Sequence, residues 1–94
     1  MPGSIKRYIL EGNSIHSLAE LYDEISRQMV LSNEFGRNLD ALWDVLSSDV
    51  EGPFEIIWRH SRASKYSMKK DFVRLLKIFR DLEDERSDFK FIIE

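Results

Sequence analysis

Two aspartates, Asp40 and Asp44, are the residues whose type and spacing point most directly to chemistry. They lie four positions apart in a segment of helical periodicity, so both carboxylates are predicted to share one face of a helix. A solvated helix face is the simpler explanation for such a pair, and a binding site is the alternative. An acid–base pair is disfavoured, because no neighbouring feature distinguishes one carboxyl group from the other.

The charged residues are segregated along the chain, although the formal net charge is only −3. The acidic segment, residues 34–51, contains five acidic residues and one arginine, and residues 81–88 have the same balance. The basic segment, residues 59–80, contains eight lysines and arginines and one aspartate. It is interpreted as a solvated helix face, as a set of cations that balance the acidic residues within the molecule, or as a phosphate-binding surface. The last is disfavoured, since the segment lacks interleaved exposed aromatic residues and any helix-turn-helix or zinc signature.

Composition excludes several classes of function. The 94 residues include no cysteine, which excludes disulfides, zinc–thiolate sites and cysteine nucleophiles. No glycine-rich phosphate loop is present, and the two histidines have no serine or acidic partner at a recognisable spacing. Residues 81–88 lack the residue order of a calcium loop. We therefore expect no enzyme activity, no cofactor and no metal ion.

The length predicts one domain, residues 1–94, in which residues 1–4 are flexible. No apolar run approaches the roughly 18 residues that a transmembrane helix needs, and no signal-peptide core follows the N-terminus. We therefore expect no membrane association. The absence of cysteine also favours a cytoplasmic protein.

Three short runs of β-branched and aromatic residues are predicted to be strands: residues 7–10, 54–58 and 89–93. Between them, apolar residues recur with helical spacing. The first helix is predicted to begin at a capping box formed by Ser17 and Glu20.

Two further helices are predicted from cap residues and apolar stripes. Asn38 is predicted to cap the second helix, and Ser67 to cap the long last helix. Residues 60–66 are predicted to form a loop or a short helix. Trp43 is expected in the core, although a tryptophan between two aspartates also suits a half-exposed interface position. Trp58, at the end of a strand, is expected in the core.

The predicted order of elements is β-α-α-β-(α)-α-β, and both crossovers are long enough for parallel pairing. The strands are apolar nearly throughout, as a covered parallel sheet requires. We therefore predict an α/β fold in which helices pack against a three-stranded parallel sheet.

The run from Phe35 to Asp44, Phe-Gly-Arg-Asn-Leu-Asp-Ala-Leu-Trp-Asp, resembles the barstar family of ribonuclease inhibitors. The hallmark of that family is an aromatic-Gly pair followed by an Asn-Leu-Asp-Ala-Leu-Trp-Asp stretch and a helix. The resemblance continues from Gly52 to Arg59, at residues 78–81 and over the closing strand, so it covers nearly the whole chain. It implies a barstar-like fold, whose order of elements is the one predicted above.

The resemblance also implies a function: an inhibitor, or immunity protein, that blocks the active site of a small basic ribonuclease such as a toxin. In the family an aspartate, here Asp44, occupies the place of the substrate phosphate. The protein is expected to be a monomer that binds its ribonuclease in a 1:1 complex. The other partner-binding positions implied by the family pattern are Gly36, Asn38, Asp40, Trp43 and Asp81.

Three positions depart from the family pattern. Glu34 stands where the best-known members have an aromatic residue, Asp49 replaces a second tryptophan, and Arg37 replaces an acidic residue. We include Glu34 and Asp49 among the partner-binding residues and expect these changes to alter which ribonuclease is bound. The alternative is a barstar-fold regulatory module that binds another basic protein, or nucleic acid through the basic segment.

Overall fold

The computed structural model describes residues 4–29, 31 and 35–94. The predictions for Glu34 and for residues 1–3 lie outside these residues. The strands are β1 (Lys6–Glu11), β2 (Phe54–Arg59) and β3 (Phe89–Ile93). The helices are α1 (Leu18–Met29), α2 (Leu39–Asp44), α3 (Ser61–Met68) and α4 (Lys70–Glu85), with a 3₁₀ turn at Gly12–Ser14 and a π-helical turn at Val45–Asp49. No helix among the described residues is both long and apolar enough to cross a bilayer.

The three strands form one parallel sheet in the order β1-β2-β3, which confirms the predicted fold class. One face of this sheet and the apolar stripes of the four helices bury a single core. Trp58 is fully buried in it, as expected. Other fully buried side chains are Leu10, Leu21, Leu42, Ile56, Leu75 and Phe79.

The opposite face of the sheet is open within the described part of the chain, and the prediction of a covered sheet is wrong for this face. Burial alternates along the strands, so Ile56 is buried whereas Ile57 is partly exposed and Ile9 is 40% exposed. The apolar strand sequences suggested two covered faces. Isoleucine, however, is enriched on half-buried strand surfaces as well, so its presence does not establish that a face is covered.

Both edges of the sheet are closed by side chains from helices. At β1, the Gln28 amide accepts from the Ile9 N–H at 3.2 Å and donates to the Ile9 C=O at 2.6 Å, as a neighbouring strand would. At β3, the Glu83 carboxylate accepts from the Phe91 N–H at 2.9 Å, and Arg80 donates to the Phe91 C=O at 3.5 Å. The backbone groups at the middle of each edge strand therefore have partners.

Side-chain caps begin two helices as predicted. The Ser17 hydroxyl accepts from the Glu20 N–H at 3.2 Å, although the Glu20 carboxylate returns to the N–H of His16 and not to that of Ser17. At the start of α2, Asn38 Oδ1 accepts from the Ala41 N–H at 2.8 Å.

The predicted cap at Ser67 is wrong. Ser67 lies inside α3, which occupies most of the segment left open between loop and helix, and α4 begins only at Lys70. Two residues with left-handed backbone set these boundaries: His60 (φ 49°) precedes α3, and Lys69 (φ 55°) separates it from α4. Neither is a glycine, so the sequence carries no signal for the break.

Candidate protein-binding site

Asn38 shapes the loop 35–38 that leads into α2. Besides capping the helix, its amide nitrogen donates to the Gly36 C=O at 3.3 Å. A β-carbon on Gly36 would lie 3.2 Å from the Cβ of Ala41, closer than ordinary van der Waals contact. Gly36 and Asn38, both predicted to bind the partner, are exposed and also determine the course of the loop.

Arg37 attaches this loop to α1. Its guanidinium donates to the Asp23 carboxylate at 2.8 Å and to the Ala19 C=O at 3.2 Å, and lies 5.8 Å from the centre of the Tyr22 ring. The Phe35 ring packs edge-on against the same tyrosine. The cation that replaces an acidic family residue is therefore engaged within the molecule. The sequence did not indicate this role, because the acceptors lie on a different helix.

Helix α2 carries Asp40, Trp43 and Asp44. Both carboxylates are exposed, and neither forms an ion pair with a described residue. Trp43 is partly buried against the core, between the two predicted environments, while Leu42 is fully buried. The helix is thus held on its inner side by Leu42 and presents two carboxylates to solvent.

The π-helical turn that follows α2 carries Asp49. The Val50 N–H donates to the Val45 C=O at 3.0 Å, which closes the wider turn. Leu46 is buried beneath it, whereas Asp49 is exposed. Because π-helical turns change the direction of the side chains they carry, they often occur at functional sites.

Arg86 fixes the end of this turn from the far end of the chain. Its Nη1 donates to the carbonyls of Leu46 at 2.8 Å and Val50 at 2.7 Å. Its other nitrogens donate to the Asp88 carboxylate at 2.9 and 2.8 Å, and these hydrogen bonds lower the pKa of Asp88. The guanidinium also lies 4.9 Å from the centre of the Phe54 ring, and the side chain is 15% exposed. An arginine within an acidic run gave no indication of this contact.

Asp81 lies on α4, which contacts α2. Its carboxylate accepts from Lys77 Nζ at 2.8 Å, and this hydrogen bond raises the pKa of Lys77. Asp81 therefore differs from Asp40 and Asp44 in already having a cation as a partner. A binding protein that uses Asp81 has to compete with Lys77.

Residues 38–51 carry four carboxylates and no cation. All four are exposed, and none forms an ion pair with a described residue; they are Asp40, Asp44, Asp49 and Glu51. Such oxygens accept charge-assisted hydrogen bonds from arginine and lysine. Within the described ranges, no three histidine or acidic side chains lie close enough together to hold a metal ion. The arrangement fits a cationic protein surface.

Half of the basic segment is neutralised within the molecule. The pairs are Arg59 with Glu94, Arg74 with Asp71, Lys77 with Asp81, and Arg80 with Glu83. These pairs support the interpretation that the segment balances acidic residues within the molecule. The expectation that it holds no exposed aromatic residue is wrong, because Tyr66 is 84% exposed on α3.

The chain is a one-sided α/β scaffold whose helix α2 presents carboxylates to solvent. The family model described as barstar (barnase inhibitor) matches residues 5–94, so this chain belongs to the barstar family. It is also 28% identical over 91 residues to a Bacillus subtilis (strain 168) protein named "Putative ribonuclease inhibitor YrdF". That match covers 96% of this chain and 100% of the Bacillus protein. The resemblance carried by the Phe35–Asp44 run is confirmed, and family membership identifies the chain as non-enzymatic.

Proposed function

We propose that this protein inhibits a small basic ribonuclease by placing the Asp44 carboxylate where the substrate phosphate binds. The observation that carries the proposal is the exposure of Asp44 on α2, within a segment of four carboxylates that have no cation partner among the described residues. The rest of the proposed contact surface consists of Gly36, Asn38, Asp40, Trp43, Asp49 and Asp81, with Glu34 added from the sequence alone.

Desolvated charge pairs supply the binding energy in this proposal. A ribonuclease that binds phosphate presents arginine and lysine donors, and the same donors form short, often bidentate hydrogen bonds with a carboxylate. Asp40 and Asp44 repel each other on the free helix, so cations placed opposite them relieve an unfavourable interaction. Because Asn38 and Leu42 already fix α2, little conformational entropy is lost on binding.

The cognate ribonuclease differs, in our proposal, from those bound by the best-known members. Asp49 adds a carboxylate where a tryptophan is usual, and Arg37 is held by Asp23 on α1. The surface is consequently more acidic and less aromatic, and it calls for a cation opposite Asp49. We propose a cytoplasmic immunity role against a toxic ribonuclease, with one ribonuclease bound per chain.

Inhibition of a panel of small basic bacterial ribonucleases, barnase among them, tests the proposal with wild type and Asp44→Ala. We expect tight inhibition of at least one enzyme by wild type. The variant should inhibit that enzyme about 10²- to 10³-fold more weakly, because truncation leaves a buried cation of the ribonuclease without its partner.

Glu11→Gln is the matched control, since it also removes one negative charge but lies at the end of β1. It should inhibit like wild type, and circular dichroism should show that both variants are folded. Equal inhibition by wild type and Asp44→Ala would show that Asp44 does not block the active site of the ribonuclease. An equal loss in Glu11→Gln would show that net charge, and not a specific site, determines inhibition.

Nucleic-acid binding through the basic segment is the second candidate. In its favour, exposed Tyr66 lies on the same face of α3 as Arg62, which is four residues earlier. Against it, four of the eight cations in the segment are paired internally, and the net charge is negative. Ribonuclease binding through the surface around Asp44 is therefore better supported than nucleic-acid binding.

A further inference from the structure

The open face of the sheet carries nine side chains in three rows. The middle row is apolar and consists of Ile9, Ile57 and Ile92, aligned by the parallel register. One flanking row consists of Arg7, Glu55 and Lys90. The other consists of Glu11, Arg59 and Glu94. Charge thus alternates along each flanking row, and the two rows have opposite signs at every strand.

Ion pairs hold most of these charged side chains across the sheet surface. Arg7 pairs with Glu55 at 2.9 Å and Arg59 with Glu94 at 3.5 Å, while Glu11 is hydrogen-bonded to the His60 ring at 2.9 Å. The hydrogen bond from His60 lowers the pKa of Glu11. Lys90 forms no ion pair with a described residue, so its ammonium group is available to a partner.

The charge pattern is complementary to itself in one orientation. When a second copy faces the sheet after rotation about an axis along the isoleucine row, each flanking row meets the opposite row of the other copy. Arg7 of one copy then faces Glu11 of the other, Glu55 faces Arg59, and Lys90 faces Glu94, so every facing pair is opposite in sign. Rotation about an axis along β2 instead brings like charges together, for example Arg7 against Lys90.

The open face is also unusual for its sheet type. All-parallel sheets almost always have both faces covered.

The area of the open face is small. Three strands spaced about 4.8 Å apart, with five residues of about 3.3 Å each, give a face of roughly 14 Å by 17 Å. That is well below the roughly 800 Å² per partner of a stable complex. Charge complementarity selects a second copy as the occupant, and the small area limits it to weak association.

We propose that two copies of this chain associate weakly through their open sheet faces, about a two-fold axis along the isoleucine row. The isoleucines supply the apolar contact and the flanking rows set the antiparallel orientation. Helix α2 packs on the covered face through Leu42, so its carboxylates stay accessible and each copy still binds one ribonuclease. This dimer does not depend on the function proposed above.

Sedimentation of Lys90→Glu and Glu94→Lys, alone and mixed, tests both the face and its orientation. Wild type should show a reversible monomer–dimer equilibrium between about 10 µM and 1 mM, the range appropriate to so small an interface. Each variant alone places two like-charged pairs in the interface, and its dimer should be about tenfold weaker. The equimolar mixture makes the facing charges opposite again and should restore the dimer.

Lys65→Glu is the matched control, because it makes the same charge change at an exposed position of α3 and should dimerise like wild type. Circular dichroism checks that all variants are folded. The proposal is overturned by a wild type that stays monomeric throughout this range, by a mixture that fails to dimerise, or by an equal loss in Lys65→Glu. A stronger dimer in Lys90→Glu would indicate the other two-fold axis. Loss of ribonuclease inhibition in that variant would assign the face to the ribonuclease.

Discussion

Ser64 is the buried polar residue on which the packing between β1, β2 and α3 depends. It is fully buried, accepts from the Trp58 indole N–H at 3.1 Å, and donates to the Gly12 C=O at 3.0 Å. A β-carbon at Gly12 would collide with the carbonyl oxygens of Arg59 and His60. Backbone therefore packs directly against backbone here, and Ser64 satisfies the polar groups on both sides.

We expect Ser64→Ala to lower the free energy of unfolding by about 1–3 kcal/mol, because the buried Trp58 N–H loses its acceptor. Urea denaturation followed by tryptophan fluorescence measures the change. Ser67→Ala, an exposed position on the same helix, should change the stability by no more than about 0.5 kcal/mol. If Ser64→Ala lowers the free energy of unfolding as little as Ser67→Ala does, the hydrogen bonds of Ser64 contribute no net stability.

At the scale of elements, Arg86 links the end of the π-helical turn to the start of β3. Arg86→Lys keeps the charge, but a single ammonium group cannot hydrogen-bond to both carbonyls and to the Asp88 carboxylate at once, as the guanidinium does. We expect it to destabilise the fold by about 1–3 kcal/mol, because the Leu46 and Val50 carbonyls lose their donor. It should also weaken ribonuclease inhibition, since Asp49 lies on that turn. Thermal unfolding and the inhibition assay measure the two effects.

Arg74→Lys is the control for this substitution, since Arg74 pairs with Asp71 in an exposed position and should contribute little to stability.

Acid unfolding compares wild type with Arg86→Lys in a second way. The folded-state pKa of Asp88 is lowered by Arg86, so its contribution to stability is present above the ordinary value near 3.8 and lost as the pH falls through the lowered pKa. Identical acid unfolding of wild type and Arg86→Lys would contradict this linkage.

The elements that the sequence predicted well are those specified by local patterns. The strands, the apolar stripe of α4 and the Asn38 cap each depend on residues within a few positions of one another, and the structure contains all three, although β1 and β2 are one or two residues longer than predicted. The break at Lys69 depends on a left-handed backbone that no local residue type signals. The contacts of Arg37 and Arg86 join residues far apart in sequence, so the sequence did not indicate what positions the proposed site residues.

At the scale of the whole molecule, the separation of charge governs how partners approach. Four carboxylates without cations between residues 38 and 51 produce a negative potential over one part of a chain whose net charge is only −3. The basic ribonuclease that we propose as partner would be attracted to that part before contact, and added salt screens such attraction over about 10 Å at 0.1 M.

We expect the association rate with a cognate ribonuclease to fall at least about tenfold between low salt and about 0.5 M salt, while the dissociation rate changes less. Stopped-flow fluorescence measures both rates. Asp40→Asn should slow association, whereas Glu11→Gln, the same charge change away from the acidic surface, should leave it near the wild-type rate. An association rate that does not respond to salt would contradict electrostatic steering.

The closed edges of the sheet determine how far self-association can proceed. Gln28 on one side, and Glu83 with Arg80 on the other, engage the N–H and C=O of Ile9 and Phe91, at the middle of the two edge strands where an incoming strand would pair. Growth of fibrils by strand addition requires such groups to be unpaired. Contact through the open face uses the same patch on both copies and leaves no second patch for a third. Concentrated solutions of the protein should therefore contain pairs of molecules and not filaments.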